Sequence, residues 1–128
     1  KYAIVPHRGK WDKAAIATKS DCWNEPLLCS YHSFAKLGSR SLVDVKNTGY
    51  QVSAANIKDG KIILRLFNAE GDRKQHNITF DMPLSSIEEV DLNGRVIDRK
   101  TIKTRTGKSE ISISMPRFGL KTFALNLN

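Results

Sequence analysis

The chain has 128 residues, 40% of them hydrophobic and 27% charged, which is the size of one ordinary domain and a composition that excludes intrinsic disorder. Lys and Arg outnumber Asp and Glu by 21 to 13, a formal net charge of +8, so attraction to nucleic acid or anionic membrane has to be weighed. No apolar run approaches the roughly 18 residues of a membrane-spanning helix.

The chain opens on Lys1-Tyr2-Ala3-Ile4-Val5, without an initiator Met or a signal-peptide pattern, and is expected to be a piece of a longer polypeptide forming one domain over residues 1–128. An extended stretch runs to Pro6-His7, and Gly9 breaks it. Helical periodicity then predicts a helix over residues 11–24, with Trp11, Ala14, Ala15, Thr18 and Cys22 on one stripe. Asn24-Glu25-Pro26 stops it, because proline cannot continue a helix. The stripe predicts an amphipathic helix packed on something larger, which places Trp11 in a core contact.

From residue 27 to 127 the signal is β, in short segments separated by turn residues. Weak strands are expected over 27–34 and 41–46, and an alternating one over 50–58 with Tyr50, Val52 and Ala54 on one face. Asp59-Gly60 predicts a tight hairpin into residues 61–68. There Ile62, Leu64 and Leu66 oppose Ile63, Arg65 and Phe67. Further strands are expected over 74–82, 86–92, 95–99, 109–115 and 120–127, with Asn93-Gly94 read as a second hairpin turn. In-phase residues are His76, Ile78, Phe80 and Met82, then Ile111, Ile113 and Met115, then Phe123, Leu125 and Leu127. Short strands at this spacing predict a mainly β fold, an antiparallel β-sandwich with one N-terminal amphipathic helix.

Candidate chemistry is sparse. Cys22 and Cys29 make no disulfide framework and fit no zinc spacing, and their pairing stays open. His7, His32 and His76 fall in separate segments; His76 reads as half-buried and His7 as a loop residue. A glycosidase needs two carboxyl groups flanking the scissile bond. Glu88, Glu89 and Asp91 form the acidic cluster, with Glu89 and Asp91 on one strand face and Glu88 opposite, and they read as a solvated strand face. Asn77-Ile78-Thr79 matches the N-glycosylation sequon, a frequent chance pattern. Trp11, Trp23, Tyr31 and Tyr50 offer rings for stacking on a sugar. The densest basic stretch holds Arg95, Arg99, Lys100, Lys103, Arg105 and Lys108 without an aromatic between them. Nucleic-acid modules pair such charge with stacking platforms, so a solvated surface, or one facing an acidic neighbour, is expected, with no nucleic acid and no membrane as partner. The residues themselves predict a β-rich domain with no catalytic, cofactor-binding or metal-ligating residue.

Several stretches carry a resemblance. Tyr2-Ala3-Ile4-Val5-Pro6-His7-Arg8-Gly9-Lys10-Trp11 resembles the Tyr-Ala-Leu-x-Pro-His-x-Gly-x-Trp segment of glycoside hydrolase family 38 α-mannosidases, and Asn24-Glu25-Pro26-Leu27 its Asn-x-Pro-Leu motif. Ser41-Leu42-Val43 and residues 52–58 look like the next family strands. Ile63-Leu64-Arg65-Leu66-Phe67-Asn68 with Gly71 is similar to the family's Leu-Arg-Leu-Tyr-Glu…Gly strand and turn. Glu89-Val90-Asp91-Leu92-Asn93 resembles its Glu-Val-Asp-Leu-x-Glu stretch, and residues 118–125 its closing strand. Asn68 and Asn93-Gly94 depart from positions where the family carries a carboxylate.

The resemblance implies the C-terminal β-sandwich end of a zinc-dependent retaining enzyme that hydrolyses terminal α-D-mannosidic bonds. Nucleophile and zinc ligands would lie in an N-terminal catalytic domain, the partner against which this segment packs; mannose-containing glycans would be met through the parent. A carbohydrate-binding module for such glycans is the alternative, on a platform of Tyr31 or Tyr50. The likeness leans to the bacterial and cytosolic branch, which leaves the compartment open with a cytoplasmic preference.

Overall fold

The computed structural model describes residues 2–11, 14–25, 41–45, 49–70 and 73–127. Among them are one helix, α1 (Ile16–Asn24), and nine strands: β1 (Val43–Asp44), β2 (Tyr50–Lys58), β3 (Lys61–Asn68), β4 (Gln75–Phe80), β5 (Leu84–Val90), β6 (Val96–Lys100), β7 (Lys103–Arg105), β8 (Lys108–Ser114) and β9 (Leu120–Leu127). They form a four-stranded sheet in the order β1-β4-β8-β7 and a five-stranded sheet in the order β2-β3-β9-β5-β6. Every pairing is antiparallel. The expected sandwich is what the chain builds.

Alternation drives the layering. Ile78 and Phe80 of β4 and Ile111 and Ile113 of β8 meet Leu64, Leu66, Ile87, Phe123 and Leu125 of the other sheet in one core cluster, which Tyr50, Leu84 and Met115 extend. Burying each such side chain stabilises the fold by roughly 1.5–3 kcal/mol. Ser109 is fully buried among them, and its hydroxyl accepts a 2.8 Å hydrogen bond from the Leu84 backbone N–H, tying β8 to β5 across the two sheets.

The turns explain the register. Asp59 and Gly60 both take positive φ, 51° and 75°, as a two-residue type I′ hairpin requires. Thr106 and Gly107 do the same at 53° and 75°, which creates the β7–β8 hairpin; β7 is absent from the sequence-based expectation. Asn93-Gly94 turns differently. Asn93 keeps negative φ while Gly94 takes 85°, Gly94 N–H bonds Asp91 O at 3.0 Å and Asp91 N–H bonds Arg95 O at 2.9 Å. The loop is therefore a type I turn closed by a glycine bulge.

Four expectations are corrected. The helix begins at Ile16, because Ala15 lies in the left-handed region (φ 50°, ψ 41°) and cannot belong to a right-handed helix. No residue of α1 is buried, so the stripe is not packed into this sandwich. In β2 a bulge between Val52 and Ala54 turns Ala54 to the face opposite Tyr50 and Val52. Of the strand expected over 41–46, the described residues 41–45 form only Val43–Asp44, while that expected over 27–34 lies outside the described residues.

Candidate functional site

The acidic cluster is the first place to look for chemistry. Glu88 and Glu89 are neighbours in β5, so they project to opposite faces of the sheet. Glu88 is 8% exposed; one carboxylate oxygen lies 3.2 Å from Arg99 Nε and the other 3.6 Å from Lys61 Nζ. Glu89 Oε2 accepts from Lys100 Nζ and Lys121 Nζ, both at 2.9 Å, and Lys100 also reaches Asp98 Oδ2 at 2.6 Å. Burial pushes the Glu89 carboxyl upward, but the hydrogen bonds and charges of Lys100 and Lys121 outweigh it and hold the group below its usual value. Burial lowers Lys100 in turn, and its Asp98 and Glu89 contacts more than offset this.

Asp91 joins neither glutamate. Its Oδ1 accepts the backbone N–H groups of Asn93 and Arg95, both at 2.8 Å, and so shapes the β5–β6 turn. The solvated strand face expected here is therefore replaced by two ion-pair clusters on opposite faces and one turn cap. The cations come from β3, β6 and β9 in both clusters together, partners distant in sequence and visible only once the strands pair.

The aromatic candidates separate as well. Tyr50 is buried; its hydroxyl donates to Lys74 O at 3.5 Å, and its ring meets His76 edge-on with centroids 5.1 Å apart. An enclosed ring offers no platform to a sugar. His76 is half-buried as expected, and His7 is exposed. Trp11 is outside the core. It is 41% exposed and stacks on Phe118 at 6.0 Å and 13°, with the Arg117 guanidinium 5.3 Å above the Phe118 ring. Trp23 is exposed on α1. Tyr31, His32 and Cys29 lie outside the described residues, and Cys22 is an exposed free thiol.

The basic stretch does not form one surface. Arg99 and Lys100 bind the glutamates, and Lys108 pairs with Asp81 at 2.8 Å. Lys103 and Arg105 line the edge strand β7 and are exposed, a placement that discourages edge-to-edge pairing. Asn77 of the sequon is exposed on β4 with Ile78 fully buried beneath it. Among the described residues no three His, Cys, Asp or Glu side chains group to hold a metal ion, and no helix is long and apolar enough to cross a membrane.

Asn68, a departure from the resembled pattern in the sequence, takes a structural role in the fold. This residue is completely buried, and its amide donates to the carbonyls of Met115 (3.4 Å) and Pro116 (3.3 Å). Both contacts need a donor, which a carboxylate at this position would lack; the departure from the family pattern thus has a structural reason.

A search of curated proteins and a search of solved structures both returned no match. The family model described as glycosyl hydrolases family 38 C-terminal beta sandwich domain matches residues 52–123. That span runs from β2 into β9, so the stretches at 2–11 and 24–27 that first carry the resemblance lie before it. With two antiparallel sheets over the matched residues and more than half of the sequence aligned, the chain belongs to the glycosyl hydrolase family 38 C-terminal β-sandwich domains.

Proposed function

We propose that the chain is a non-catalytic supporting domain of an α-mannosidase, a retaining, zinc-dependent enzyme whose nucleophile and metal lie in an N-terminal catalytic part. The observation that carries this reading is the disposition of the acidic cluster. Glycosidase carboxyl pairs face one another across a scissile bond, whereas Glu88 and Glu89 point away from each other and each is tied to two cations. Their arrangement is that of strand-to-strand connectors.

Packing against the catalytic part is supported by surface that the sandwich leaves uncovered. Trp23, Phe118 and Leu120 are 55%, 50% and 58% exposed, and Trp11, 41% exposed, stacks on Phe118; these are apolar groups that a neighbouring domain would cover. The net charge of +8 suits an acidic counterpart. Glycan capture on a Tyr50 platform is not available, since that ring is enclosed.

Sedimentation of the purified chain mixed with a separately produced catalytic part tests the packing. A heavier complex is expected, weakened by Trp11→Ala combined with Phe118→Ala. Independent sedimentation of the two parts at micromolar concentration would overturn it.

A further inference from the structure

A cleft on the side of the sandwich lies apart from the uncovered apolar surface and shares only its Asp98–Lys100 wall with the ion-pair clusters. β7 pairs only with Lys108, Ser109 and Glu110 of β8, so beyond Glu110 that side of β8 has no strand neighbour among the described residues. The crossover from β6 to β7 passes beside this stretch, and a cleft of about 330 Å³ opens between them, near the lower end of the 300–1,000 Å³ typical of small-molecule sites.

Nine of its ten lining residues carry hydrogen-bonding side chains, and Ile111 is the tenth. Gln75 and Asn77 come from β4, Glu110 and Ser112 from β8, Thr101 and Lys103 from the crossover and the start of β7. Asn77 lies opposite Ser112, and Lys103 opposite Glu110. Such cross-strand pairs hold their side chains about 5 Å apart, a separation one pyranose ring spans. Carboxylate and amide oxygens accept, while the ammonium, amide N–H and hydroxyl groups donate. That alternation matches a ligand whose every edge carries hydroxyls.

Three cations, Arg99, Lys100 and Lys103, stand against two carboxylates, Asp98 and Glu110, so neither sign dominates the lining. Lys103 and Glu110 are opposed across the ladder. On the wall, Asp98, Arg99 and Lys100 are already engaged with one another or with Glu88 and Glu89. No ring lines the cleft, so affinity rests on hydrogen bonds exchanged with water and is weak.

We propose that this cleft holds a single neutral sugar residue through Gln75, Asn77, Thr101, Lys103, Glu110 and Ser112. The assignment does not depend on the sandwich having a catalytic neighbour, and it can fail while that reading stands.

The test is an amide chemical-shift titration of the full chain with methyl α-D-mannopyranoside and methyl β-D-glucopyranoside, with inorganic phosphate as a separate arm. The expected result is saturable shifts at Asn77, Thr101, Lys103 and Ser112 with at least one glycoside, at about millimolar concentration. Asn77→Ala is expected to weaken binding by about five- to tenfold, the worth of a lost hydrogen bond. Asn77 is exposed, so an unchanged melting temperature separates that loss from misfolding. Glu110→Gln provides a second variant, removing charge while keeping shape. Absence of saturable shifts with both glycosides overturns the proposal. So does a response to phosphate alone, or a glycoside response centred on Trp11 and Phe118.

Discussion

Replacing Glu89 by Gln removes the negative centre of the cluster on the inner face of the five-stranded sheet while keeping its shape. The carboxylate is 12% exposed, Lys100 17% and Lys121 22%, and both ammonium groups sit at 2.9 Å. An exposed pair is worth at most about 1 kcal/mol, and breaking a fully buried one costs about 3–5 kcal/mol. These exposures lie between the limits, which gives a loss of about 2 kcal/mol at neutral pH. The loss depends on pH in a defined direction. Glu89 is held below its ordinary value of 4.5 in the folded chain, so the unfolded chain binds its proton first as the pH falls. The stabilisation is complete above 4.5 and disappears as the pH falls through the depressed folded value. Urea unfolding of wild type and Glu89→Gln, at neutral pH and in acid, is the assay. A gap that closes in acid is expected, together with a positive coupling between Glu89→Gln and Lys121→Met in a double-mutant cycle. A gap below about 0.5 kcal/mol at neutral pH, or one unchanged in acid, refutes the reasoning.

Two further substitutions probe the backbone and the core. Gly49 takes φ +74°, and a Cβ there would run into the Glu70 side chain, whereas Gly60 at φ +75° has open space around it. Gly60→Ala is therefore expected to cost about 1 kcal/mol, and Gly49→Ala at least about 1 kcal/mol more, as read from paired thermal melts; equal losses would contradict the contact. Ser109→Ala removes the acceptor of the Leu84 N–H inside the core and is expected to lower stability by about 1–3 kcal/mol, while a loss smaller than about 0.5 kcal/mol would remove it as a link between the sheets.

What could be read in advance follows from the range of each interaction. Strand alternation and Asp-Gly turn chemistry are local, so β3, β8 and β9, the β2–β3 hairpin and the residues of the core were legible. The β2 bulge reverses the phase at Ala54 without a mark in the sequence, and β7 is too short to show a period. The left-handed Ala15 defeats a periodicity that treats residues 11–24 as one helix. The acidic cluster is illegible in the sequence for a different reason. Glu89 is partnered by Lys121, 32 residues away, and carboxylates on an unpaired strand look solvated until the neighbouring strands bring their cations.

Hydrolysis of an aryl α-mannoside by the purified 128-residue chain, with and without added zinc and against a buffer control, tests the central claim most directly. The structure of the acidic cluster and the family membership lead to no turnover above buffer and no zinc retained in stoichiometric amount. Zinc-dependent release of the aryl group that follows the chain through purification would contradict the account.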